Sequence, residues 1–131
     1  ICGENLVAKH SIHYRDLRSY FYAFSIWTDK NMALSWDETV EYCQLLGIRT
    51  VPLIHRGIFR EDKTRRLLSR AVDFKSVEGY VIRLAAAFAY EDFSTSVAKY
   101  VRADHVQTDE HWSHKPVVPN LIIESKEKQN V

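Results

Sequence analysis

Glu78-Gly79-Tyr80-Val81-Ile82-Arg83, followed after an irregular segment by Val97-Ala98-Lys99-Tyr100-Val101-Arg102, is the stretch on which the fold turns. Both runs alternate apolar side chains with ionic ones among strong strand formers, so Gly79 to Leu84 and Val97 to Arg102 read as strands with ionic groups in or beside them. A sheet-lined nucleotide site needs such groups: a carboxylate from one strand to hold a metal ion and an ammonium from the next to hold a phosphate. The pattern points to phosphoryl or nucleotidyl transfer chemistry.

Upstream, Ile1 to His10 reads as a strand and Ser11 to Ser19 as a polar turn region. The run from Tyr20 to Trp27 is an aromatic-rich second strand bounded by Asp29-Lys30-Asn31. Ser35, with Glu38 three residues later, forms a capping box that opens a helix through Val40, Leu45 and Leu46, and Gly47 is placed to end it. Thr50-Val51-Pro52-Leu53-Ile54 reads as a short strand confined to an edge or a strand start by Pro52, with Gly57 marking the turn after it. Glu61 to Val72 spaces Leu67, Leu68, Ala71 and Val72 as a helix does, with Lys63, Arg65, Arg66 and Arg70 elsewhere on its surface. Beyond Trp112 the segment with Pro116 and Pro119 reads as irregular, and Glu124 to Asn130 as a solvated or helical tail. Strands outnumber helices without a βαβ alternation, which predicts an α+β domain, mainly antiparallel sheet with flanking helices.

A chain of 131 residues allows one ordinary domain with a sizeable core, and 46% hydrophobic with 27% charged residues is the balance of a globular protein. Eighteen Lys and Arg against seventeen Asp and Glu leave nucleic-acid affinity to local clusters of charge. No apolar run approaches the length of a membrane span, and the N-terminus lacks a secretory signal, so no membrane partner is expected. Cys2 and Cys43 have no CxxC spacing, which fits free structural thiols in a reducing, cytoplasmic compartment. The chain opens at Ile1 inside a strand-like segment, and the expectation is a piece of a longer polypeptide whose exposed sheet edges favour self-association.

An ordered series of short elements carries a resemblance: Cys2-Gly3-Glu4, Tyr20-Phe21-Tyr22-Ala23-Phe24, Val51-Pro52-Leu53 with Gly57 and Phe59, Glu78-Gly79-Tyr80-Val81, then Val97-Ala98-Lys99. In this order they resemble the ATP-dependent RNA ligases of the covalent nucleotidyltransferase superfamily. The resemblance covers roughly residues 1–112, leaving 113–131 as a C-terminal extension, and implies part of an ATP-grasp-like nucleotidyltransferase domain. In that family a lysine attacks the α-phosphate of ATP, releases pyrophosphate and passes AMP to a 5′-phosphate of RNA, which is then joined to a 3′-hydroxyl.

The resemblance implies roles residue by residue. Lys99 matches the lysine that contacts the α-phosphate, and Glu78 the carboxylate that binds Mg2+ directly or through water. Glu4 matches the glutamate that accepts a hydrogen bond from a ribose hydroxyl, and Phe21 the aromatic that stacks on adenine. Arg83 stands where relatives carry a basic residue that meets phosphate. It lies an odd number of residues from Glu78, so a twist or bulge is needed for both to serve one site. Where the family has a second lysine this chain has Val101, with Arg102 beside it, and Ser25 stands where relatives often have an acidic residue. Arg65, Arg66 and Arg70 form a basic cluster that could track a nucleic-acid backbone.

The family's nucleophile lies in a Lys-x-x-Gly or Lys-x-Asp-Gly turn ahead of the Gly-Glu strand. None of the lysines at 9, 30, 63, 75, 99, 115, 126 and 128 is followed by a glycine three residues on. The expectation is that these residues supply nucleotide, metal and phosphate contacts and cannot by themselves form a lysyl-AMP adduct. Two alternatives stand beside the ligase: a non-catalytic nucleotide- or nucleic-acid-binding module, and a GTP-dependent nucleotidyltransferase of the mRNA-capping kind. His10 with His13 and His111 with His114 have the spacing of metal ligands on a helical turn but no further ligand nearby in sequence. Cys43 falls at an apolar helix position and reads as buried rather than nucleophilic.

Overall fold

Two glycines show where backbone approaches too closely for a side chain. A Cβ on Gly79 would stand 2.0 Å from the carbonyl oxygen of Tyr100, and one on Gly3 would stand 2.3 Å from Cζ of Phe21. The computed structural model describes residues 1–103 and 116–123. Each of these glycines sits in a two-stranded antiparallel pair. In the first, β1 (Cys2–Asn5) runs against β2 (Phe21–Ser25), with Glu4 opposite Tyr22, Asn5 opposite Phe21 and a register shift between Cys2 and Gly3. A second, minimal pair joins β3 (Met32–Ala33) to β5 (Phe88–Ala89). The third joins β4 (Gly79–Arg83) to β6 (Val97–Val101), with Val81 opposite Lys99 and Arg83 opposite Val97. Helices α1 (Trp36–Leu45), α2 (Glu61–Ala71) and α3 (Phe93–Ser96), with a 3-10 turn at Tyr90–Asp92, complete an α+β arrangement.

The sequence signals behind α1 operate as expected. The hydroxyl of Ser35 accepts from the Glu38 amide at 3.2 Å, and Glu38 Oε2 accepts from the Ser35 amide at 3.0 Å. The Ser35 hydroxyl also donates to Glu38 Oε2 at 2.8 Å, and that bond first and the one from the Ser35 amide second hold the Glu38 carboxyl below its usual range. Thr39 and Cys43, one turn apart on α1, are fully buried, and burial pushes the Cys43 thiol up. Cys43 is therefore packing, as its apolar position implied. Leu68 of α2 and Val72 just beyond it enter the core, while Leu67 and Ala71 remain exposed.

Two strands differ from their sequence reading for local reasons. The first ends at Asn5 rather than His10, because Asn5 Oδ1 takes the Val7 amide at 3.1 Å and bends the chain out of the ladder. Residues 50–54 make a single parallel bridge from Thr50 to Ala23 rather than a strand. Ala23 donates to the Arg49 carbonyl at 2.8 Å and accepts from Val51 at 2.9 Å, and Pro52 has no N–H to continue. The pairing of Met32–Ala33 with Phe88–Ala89 and helix α3 were not anticipated; two-residue strands carry too few positions to show a period. Residues 116–123 are irregular, as read, yet they dock: Pro119 bridges Ala8 and Ile122 bridges Leu17.

Replacing Ser35 by Ala should cost about 1 kcal/mol, read as a lower urea midpoint at unchanged slope. Gly79→Ala should cost more, about 1–3 kcal/mol, because the added Cβ meets the Tyr100 carbonyl.

Candidate functional site

The β4–β6 ribbon presents two different faces. Tyr80 and Tyr100 stack at 5.2 Å on one, with Phe74 packed against Tyr100 at 5.6 Å. The register puts exposed Lys99 and Val81 on the other, together with Arg83. Glu78 lies one residue ahead of β4, half-buried, and the Ser11 hydroxyl donates to its Oε1. At the far end of β6 the Arg102 amide donates to the Glu78 carbonyl at 3.0 Å, and Arg102 Nη1 donates to the Phe74 carbonyl at 2.8 Å. Arg102 Nε is buried without a hydrogen-bond acceptor among the described residues.

Arg83 is engaged elsewhere. Its Nη2 donates to the Leu34 carbonyl at 2.8 Å, Nε to the Leu84 carbonyl at 2.9 Å and Nη1 to the Phe24 carbonyl at 3.4 Å, while the guanidinium lies 5.2 Å from the centre of the Phe88 ring. Burial pushes its pKa down from the usual arginine value. A phosphate role for Arg83 would require it to release these carbonyls; in this arrangement it fastens β4 to the end of β2 and to the chain after β3.

On β1, the side-chain space that Gly3 leaves open is filled by the ring of Phe21, which is 37% exposed. The Phe21 ring thus reaches over Gly3 of the strand that carries Glu4, with part of its surface exposed. Glu4 itself is exposed. The charges of the two glutamates, from separate strand pairs, both act on Tyr14, a half-buried residue of the polar turn region. Burial, then Glu78, raise the Tyr14 phenol above the usual tyrosine range; Arg102 opposes this and Glu4 adds to it. Glu4, Glu78 and Arg102 therefore share one electrostatic neighbourhood around Tyr14. Sequence reasoning passed over Ser11 and Tyr14, because a hydroxyl in a polar turn carries no periodic or motif signal.

The basic residues of α2 are on the surface. Arg65 pairs with Glu61 at 2.9 Å one turn away, and Arg66 Nε donates to the Asp62 carbonyl at 3.2 Å. Lys63, Arg66 and Arg70, with Leu67 and Ala71, rim an open depression of about 620 Å³. A second depression, between α1 and residues 50–56, is flanked by the Arg56–Asp37 ion pair at 2.5 Å. Ser25 is buried and accepts from the Trp27 indole at 3.1 Å, so it serves packing. His13 Nε2 lies 3.0 Å from the Pro119 carbonyl, and no group of three His, Cys, Asp or Glu is arranged for a metal among the described residues. His111 and His114 lie outside the described residues.

The family model for RNA ligase matches residues 1–101, from β1 through the last residue of β6. The chain belongs to the RNA ligase family. No curated protein and no solved structure matches it. The match takes in Glu4, Phe21, Glu78 and Lys99 of this RNA ligase family chain and stops short of Arg102 and of the docked segment 116–123. No helix among the described residues is long and apolar enough to cross a membrane.

Because folding holds the Tyr14 proton more tightly, the unfolded chain ionises first, near the usual tyrosine value of about 10. Stability should therefore fall as pH rises above that value towards the higher folded one. Tyr14→Phe should flatten this alkaline loss in urea titrations compared at increasing pH, and leave the neutral-pH slope of the unfolding curve unchanged.

Proposed function

We propose that residues 1–131 form part of an ATP-dependent RNA ligase and supply the nucleotide, metal and phosphate contacts of its nucleotidyltransferase domain. One observation supports this most directly: within the family match, Glu4 and Glu78, from separate strand pairs, both act on the Tyr14 phenol, and the partly exposed Phe21 ring covers Gly3, the residue before Glu4. In this reading Phe21 stacks on adenine, a sequence-tolerant contact of about 1–3 kcal/mol. Glu4 accepts from the ribose hydroxyl. Lys99, exposed on β6, spreads the charge that develops on the α-phosphate during attack.

Glu78 is the residue that would hold Mg2+. Its carboxylate accepts from the Ser11 hydroxyl, and a single glutamate suits an ion that keeps most of its waters and takes one or two carboxylates. Bound there, the ion would neutralise phosphate charge. Arg65, Arg66 and Arg70 would follow the RNA backbone beside the 5′-phosphate and 3′-hydroxyl ends, in a cytoplasmic setting. Lysyl-AMP formation is assigned to none of the lysines here, since none has a glycine three residues on. The same observation favours a second reading, a nucleotide-binding module without the covalent step.

Calorimetric titration with ATP and Mg2+ tests the contacts. Phe21→Ala should weaken binding by about 5- to 150-fold, the stacking range converted at 1.4 kcal/mol per decade. Glu4→Ala and Lys99→Ala should each weaken it about tenfold or more, and unaltered affinity in all three variants would overturn the reading. Radiolabelled ATP and GTP, offered to a polypeptide that joins these residues to a Lys-x-x-Gly turn, separate the chemistry. Covalent label from ATP alone is the ligase result, from GTP alone the capping result, and no label from either leaves a binding module.

A further inference from the structure

The loop from Lys9 to Leu17 has no helix or strand of its own, yet it carries Ser11 and Tyr14 to the neighbourhood of Glu78. Its backbone is held by residues 116–123. Lys9 donates to the Val118 carbonyl at 2.7 Å, Leu17 to the Leu121 carbonyl at 3.1 Å, Leu121 to the Tyr14 carbonyl at 2.9 Å and Ile123 to the Leu17 carbonyl at 2.8 Å. Asn120 sits at the centre of this set. Its Oδ1 accepts from the Tyr14 amide at 2.9 Å, and its Nδ2 donates to the carbonyls of Leu6 at 2.9 Å and Ala8 at 3.2 Å. Its own amide donates to the Val7 carbonyl at 2.8 Å, and its carbonyl accepts from the Tyr20 hydroxyl at 3.1 Å. At 1% exposure Asn120 is the largest fully buried side chain among the described residues.

A buried amide is retained at such a position when it does what no apolar residue can. Here one side chain satisfies an amide and two carbonyls of a segment that has no ladder partner of its own. We infer that residues 116–123, beyond the stretch matched by the family, belong to the nucleotide site, with Asn120 as a positioning residue that sets the 9–17 loop and, through Ser11, the carboxylate of Glu78. The inference rests on the proposed ATP- and Mg2+-binding role of that site. Asn120 touches neither nucleotide nor metal in it. Its effect travels along a loop whose anchors lie on one side in the 116–123 segment and on the other at Glu78.

The experiment is Mg2+-dependent ATP binding to the 131-residue chain, for the unaltered protein, Asn120→Ala, Ser11→Ala and the double variant. Asn120→Ala should weaken binding about tenfold, and the double variant should bind no more weakly than Asn120→Ala alone, since both act on Glu78 by one route. Binding unchanged in a folded Asn120→Ala, or additive losses in the double variant, would overturn the inference. If Asn120→Ala does not fold, amide exchange of the unaltered chain decides. Coupling is reciprocal, so saturating ATP and Mg2+ should slow exchange several-fold at Lys9, Tyr14, Leu17, Asn120 and Leu121. Protection confined to β1 and β4, with none at these amides, overturns it. Absence of any ATP binding by the unaltered chain would instead remove the proposed function and this inference with it.

Discussion

The Asn120 carboxamide is the constraint on which the chain between β1 and β2 depends. After the Leu6 amide bonds the Tyr20 carbonyl at 2.7 Å, the chain between β1 and β2 forms no strand of its own, so the amides and carbonyls from Val7 to Leu17 need partners elsewhere. Asn120 and its neighbours provide them from more than a hundred residues away in sequence. Without that tie, nothing regular would hold Ser11 and Tyr14 near Glu78.

A second tie works in the same way. Arg83 joins the β4–β6 ribbon to the carbonyls of Leu34 and Phe24 and lies over the Phe88 ring. The buried apolar set of the described residues is short, Leu17, Ala23, Ala33, Cys43, Leu68, Val72 and Phe88, and the strand pairs are not fused into one sheet. Small pairs of strands expose much of both faces, so side chains that bond backbone carbonyls do the joining that a continuous ladder does in larger sheets. That is why an arginine suited by charge to phosphate is here half-buried among carbonyls.

The site inherits this construction. Glu4 and Phe21 belong to one pair, Glu78 and Lys99 lie in or beside another, and the polar loop after β1 reaches the second through the bond from Ser11 to Glu78. Gly3 and Gly79 are part of the same logic, since each lets something lie where a side chain would stand, the Phe21 ring in one case and the Tyr100 carbonyl in the other. Membership of the RNA ligase family and the α+β class agree with this layout, and the nucleotide contacts are the reading that makes chemical use of it.

The capping box at Ser35 and Glu38, the stop at Gly47, and the β4 and β6 strands were all legible in the sequence, because each depends on residues a few positions apart. So were the residues of the family motifs, since they lie within contiguous short runs. The early end of β1 and the loss of a strand at Pro52 were nearly legible, as both follow from one local hydrogen bond made or missing. The docking of residues 116–123, the use of Arg83 and the bond from Ser11 to Glu78 were decided only in the tertiary structure. Periodicity records which face of an element is apolar, whereas a buried amide or guanidinium takes its partners from whatever carbonyls the folded chain brings to it, and no local pattern encodes those.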